Sequence, residues 1–90
     1  MTSYTFEKTA KEMLIDIIKE NYGEEYRIED INMVWFAHIL GSKKAILIDN
    51  GHNNRLYEVT YNLSTAEMYV DVYEKQLNKK VNCFVSQSAN

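Results

Sequence analysis

Two six-residue runs, Leu56-Tyr57-Glu58-Val59-Thr60-Tyr61 and Met68-Tyr69-Val70-Asp71-Val72-Tyr73, alternate in side-chain character with a period of two. That period belongs to a β-strand, whose successive side chains point to opposite faces of a sheet. Between them Asn62-Leu63-Ser64-Thr65-Ala66 reads as a turn of hairpin length. The two runs are therefore read as antiparallel neighbours. Tyr57, Val59 and Tyr61 share a face with Met68, Val70 and Val72, while Glu58, Thr60, Tyr69, Asp71 and Tyr73 share the other. A slip of one residue would exchange the two sets wholesale, so the apolar set fixes the register by needing a cover.

Upstream the period changes. Phe6, Ala10, Met13, Leu14, Ile17 and Ile18 recur at three- and four-residue spacing, which is one stripe of an amphipathic α-helix. Glu7, Lys8, Lys11, Glu12, Asp16, Lys19 and Glu20 fill the opposite side, with Glu7–Lys11 and Lys8–Glu12 placed for ion pairs. Ser3 or Thr5 is expected to cap the start, and Gly23 to end the helix in the left-handed conformation. Ile28 and Ile31 suggest a single helical turn before the next strand. The segment Asn32 to Leu40 is rich in β-branched and aromatic residues and reads as a first strand. Gly41-Ser42-Lys43 reads as a turn, Ala45-Ile46-Leu47-Ile48 as a second strand, and Asp49 to Asn54 as a loop. The expected fold is α+β: an N-terminal amphipathic helix packed on a four-stranded antiparallel meander, with a short C-terminal edge strand over Val81 to Val85. Residues 1–85 form one domain in this reading, and 86–90 a flexible tail.

Ninety residues hold one core and leave no room for a separate catalytic subdomain. The hydrophobic fraction of 46% is ordinary for a folded chain. Net charge is −3, with the acidic side chains concentrated in the first thirty residues and lysines near the end. Binding to a nucleic-acid backbone needs a basic face, so nucleic acid is disfavoured as a partner. Cys83 is the only cysteine, which excludes an internal disulfide and a cysteine metal cluster and fits a reducing compartment. There is no basic region followed by an apolar stretch at the N-terminus, and no apolar run of membrane-spanning length. The expected location is the cytosol, away from the membrane, and the sequon at Asn62-Leu63-Ser64 is read as chance.

No catalytic constellation emerges. His38 falls mid-strand and His52 in a loop, without metal-ligand spacing. The oxygen-rich loop at Asp49 to Asn54 lacks the alternating carboxylates and closing Glu of a calcium loop. No cofactor, metal or enzymatic activity is expected; an active or ligand-binding pocket, if there were one, would use His38 or Tyr61 between helix and sheet.

The informative surface is the face of the sheet turned away from the helix. Tyr69 and Tyr73, with Asp71, Glu58 and Thr60 between them, form a candidate protein-binding surface, because each ring offers large area at low entropic cost with a polar tip. The bland alternative is that these rings only support the sheet through cross-strand pairing. The first strand is apolar on both sides, and one helix covers only one face of a sheet. Val34, Phe36 and Leu40 are accordingly candidates for a homodimer face, with the tail or another protein as alternative covers.

Three stretches carry a resemblance: Val34-Trp35 through Lys44-Ala45, Tyr57-Glu58-Val59-Thr60-Tyr61-Asn62, and Glu67-Met68-Tyr69-Val70-Asp71-Val72-Tyr73. They are similar to small uncharacterised proteins encoded by bacteriophages and prophages of Gram-positive bacteria. The resemblance covers about Ile28 to Val81, and the tail after Phe84 lies outside it. It implies no catalytic residues and no assigned activity. It implies a setting: the host cytosol, where small acidic phage proteins bind and redirect a host protein, including antiviral defence components such as a CRISPR effector. The alternative reading is a homo-oligomeric structural or assembly module of a phage.

Overall fold

Residues 1–51 and 53–74 are described by a computed structural model of the chain. The expected edge strand over 81–85, the tail from 86 to 90, Cys83 and His52 lie outside the described residues. Helix α1 spans Ser3–Tyr22, and Phe6, Ala10, Leu14 and Ile18 are its buried residues, one per turn. Met13 and Ile17 flank that stripe, half-buried. The cap sits one residue before the expected pair: the Thr2 hydroxyl accepts from the Thr5 backbone N–H at 3.1 Å. Ser3 and Thr5 are already inside the first turn, so their side chains cannot take the capping position. Glu7 and Lys11 pair at 2.8 Å. Gly23 closes the helix at φ 69°, its N–H reaching the Lys19 carbonyl. That left-handed conformation is one a side chain would oppose.

A single 3₁₀ turn, Ile28–Asp30, follows. Asp30 anchors it from both sides, accepting from the Arg27 backbone N–H and from the Asn50 side chain, each at 2.9 Å. The sheet then runs β1 (Ile31–Ile39), β2 (Ser42–Asp49), β3 (Arg55–Asn62) and β4 (Glu67–Glu74), in spatial order β1-β2-β3-β4, every neighbour antiparallel. This is the helix-plus-meander architecture expected. Its core is one cluster: the helix stripe against Ile31, Ala45, Leu47, Tyr57, Val59 and Tyr61, with Met68, Val70 and Val72 packed at its edge. The alternation read in β3 and β4 holds, with the Tyr57 set turned inward.

The first hairpin departs from expectation. Ile39 pairs with Ser42, so the turn is the two residues Leu40-Gly41 rather than Gly41-Ser42-Lys43. Both have positive φ, 51° and 84°, as a type I′ turn demands. A Cβ on Gly41 would also stand 2.3 Å from Leu63 Cδ2. In β1 itself, Met33 pairs with Leu47 but Trp35 pairs with Ile46, which leaves Val34 as an extra residue in a β-bulge. The bulge resolves the doubly apolar run. It lets Met33 and Phe36 both face the helix, opposite buried Leu47 and Ala45, while Trp35, Ala37 and Ile39 line a groove on the other face. Among the described residues no helix is long and apolar enough to cross a membrane.

Candidate protein-binding face

The pleat and the register bring the predicted surface residues together. Glu58 lies directly opposite Asp71, and Thr60 directly opposite Tyr69, on the face away from α1. Tyr73 joins them two residues along β4, opposite Leu56. Tyr69 and Tyr73 are each about half exposed, at 48% and 52%, so each ring leaves part of its surface open to solvent. Both hydroxyls are engaged locally: Tyr69 donates to Glu67 at 2.8 Å, and Tyr73 to Glu58 at 3.4 Å. The bond to Glu67 raises the Tyr69 phenol above its ordinary pKa, and the charge of Glu58 does the same for Tyr73. Both rings therefore stay neutral at physiological pH, with an apolar face and a donating tip.

Lys44 on β2 reaches Glu58 at 3.6 Å across the strands. Beyond it the face turns apolar. Trp35, Ala37 and Ile39 of β1, with Ser42, Lys44 and Thr60, line a shallow groove of about 310 Å³. Trp35 is 48% exposed and Ile39 69%. Trp35 and Ile39 were legible as apolar strand residues, but their place beside the tyrosine–carboxylate half depends on the bulge.

The candidate dimer residues are not brought together. Phe36 packs its ring on Phe6 of the helix, with centroids 5.7 Å apart. Leu40 sits in the hairpin turn and is 94% exposed, and Val34, the bulged residue, is 54% exposed. His38 is exposed on the edge strand, while Tyr61 is part of the core with the Lys43 ammonium 5.9 Å from its ring centroid. Among the described residues no group of three His, Cys, Asp or Glu is placed to hold a metal.

A second polar assembly was not foreseen. At the end of the sheet nearest the helix C-terminus, the Tyr57 hydroxyl donates to Asp49 at 2.5 Å and accepts from Arg55 Nε at 2.9 Å. The same guanidinium pairs with Glu24 and lies 3.8 Å from the Tyr22 ring centroid. Asp49 also accepts from the Gly51 N–H and the Asn53 side chain, each at 2.8 Å. Burial alone would push the Asp49 carboxyl up, but the bonds from Tyr57, Asn53 and Gly51 and the charge of Arg55 outweigh it and hold the pKa down. Burial and the bond to Asp49 push the Tyr57 phenol well up. Burial works against the Arg55 charge, but Glu24 and Tyr57 raise its pKa above the ordinary value. Every charge here has a partner, and together these contacts tie the helix end to the sheet.

No curated protein and no solved structure matches the chain. A family model matches residues 7–83, which takes in nearly all of α1, the whole meander and the two-faced sheet built above. The chain belongs to that family, DUF6275, a family of unknown function.

Proposed function

We propose that this protein is a non-enzymatic binding module that takes a protein partner on the outer face of its sheet. The observation that carries the reading is the half-exposure of Tyr69, Tyr73 and Trp35 on one continuous face of a hydrogen-bonded sheet. Large rings held by a strand are pre-ordered, so docking on them costs little conformational entropy. The resemblance to phage and prophage proteins supplies the setting: a host protein as the partner, bound in the host cytosol, with an antiviral defence effector such as a CRISPR effector among the targets it suits.

The test is affinity capture from host lysate, with and without nuclease, beside the double variant Tyr69→Ala/Tyr73→Ala. One stoichiometric host protein, insensitive to nuclease and lost in a variant that stays folded, is the expected result. Capture that survives both substitutions would remove this face from the reading.

A self-assembling phage module is the second reading, favoured by one observation. The edge strand β1 exposes Val34, Trp35 and Ile39. Light scattering that gives a monomer mass independent of concentration would end it.

A further inference from the structure

We propose that the partner surface received by this face is cationic: an arginine, flanked by apolar side chains, that enters between Tyr69 and Tyr73 over the Glu58–Asp71 pair. This deepens the reading of the face as a protein-binding surface and rests on it. Three features of the face support the assignment. The first is the register. Glu58 and Asp71 are direct cross-strand partners on one face, an arrangement of like charges that disfavours the sheet itself. Lys44 reaches Glu58, but among the described residues no cation reaches Asp71. The second is the flanking. Tyr69 and Tyr73 stand two residues to either side of Asp71 on the same face. A guanidinium over the carboxylates would lie against ring faces, where its charge is attracted by the π-system as well as by the acids.

The third is the remainder of the face. The groove lined by Trp35, Ala37 and Ile39 lies toward β1, at the opposite edge of the sheet from Asp71 on β4. Three inter-strand spacings separate those edges, roughly 14 Å, which an extended segment crosses in about four residues. One segment can thus place an arginine over Asp71 and an apolar side chain in the groove. A second copy of this chain fits less well. Its face would bring Glu58, Glu67 and Asp71 against the same three acids, with one Lys44 on each side.

The test uses the whole protein and fluorescein-labelled octapeptides carrying two leucines and, four residues away, arginine, citrulline or glutamate. Citrulline keeps the shape of arginine without its charge. Binding is read by anisotropy and by amide shifts in an NMR titration, for the wild type, Glu58→Gln/Asp71→Asn and Tyr69→Ala/Tyr73→Ala. The arginine peptide should bind about tenfold tighter than the citrulline peptide, a preference set by a charge-assisted contact. Shifts should centre on Glu58 and on Tyr69 to Tyr73, and the preference should vanish in Glu58→Gln/Asp71→Asn while the spectrum keeps its folded dispersion. Equal binding of arginine and citrulline peptides, lost in the tyrosine variant, would overturn the cation and leave the face. An arginine preference that persists without the two carboxylates would place the cation elsewhere and overturn the proposal. So would the absence of binding by any peptide at millimolar concentration, a result to which lysate capture on Tyr69 and Tyr73 is indifferent.

Discussion

Tyr57 is fully buried, yet its hydroxyl stands between a carboxylate and a guanidinium, bonded to both. Removing that one oxygen with Tyr57→Phe keeps the ring in the core and leaves Asp49 and Arg55 each short of a partner. The expected cost is about 1–3 kcal/mol, the penalty for leaving buried polar groups unsatisfied, read as a lower urea midpoint with an unchanged slope. The variant also carries a pH signature. In the folded protein Asp49 is held below its ordinary value, and the Tyr57 hydroxyl is the largest of the contributions that lower it. A depressed carboxyl contributes stability that is complete above its unfolded pKa and is lost as pH falls through the folded value. The gap between wild type and Tyr57→Phe should therefore narrow in urea titrations as pH is taken from neutral down below the carboxylate range. A gap that stays constant with pH would mean that the hydroxyl does not hold the Asp49 charge. None of this was legible from the chain. Glu24 and Arg55 are thirty-one residues apart, and periodicity reports which face a residue occupies, not which distant charge it meets.

At the scale of elements, legibility followed periodicity. The helix stripe, the Gly23 stop and the alternation of β3 and β4 could be read because each has one buried face and one wet one. β1 could not, because an apolar run without alternation carries no phase, and the bulge at Val34 is what sets its faces. The first turn was misplaced for a related reason. Leucine is a poor resident of the left-handed region, so Leu40 at φ 51° is a local choice that the hairpin overrides. Leu40 is almost wholly exposed and has no packing to lose. Leu40→Asn, with a residue that tolerates positive φ, should therefore stabilise the hairpin by about 1 kcal/mol. The measurement is a raised urea midpoint at constant slope, with β1–β2 cross-strand NOEs unchanged. A lower midpoint would instead show that the Leu40 side chain is buried in solution, as a contact between copies would require.

For the whole molecule, the two faces of the sheet obey different demands. The inner face is filled from Phe6 to Val72, and at its end Asp49 is paired with Arg55. The outer face keeps a tyrosine-flanked pair of like charges and an open apolar groove, neither of which helps the free protein fold. If binding is what retains them, stability and affinity should move in opposite directions when the charge pair is relieved. Asp71→Asn is the clean case, since it keeps shape and polarity and removes one of the two facing charges. At neutral pH and low salt it should raise unfolding free energy by a few tenths of a kcal/mol, the scale of a cross-strand charge pair. The gain should shrink in 1 M salt, where screening acts over about 3 Å. The same substitution should weaken the arginine peptide and not the citrulline one. A variant that is both less stable and less able to bind would show that Asp71 serves the fold first. A variant that is more stable yet binds less identifies the outer face as a surface kept for its partner, because Lys44 and Tyr73 give Glu58 contacts within the fold while no cation among the described residues reaches Asp71 beside it.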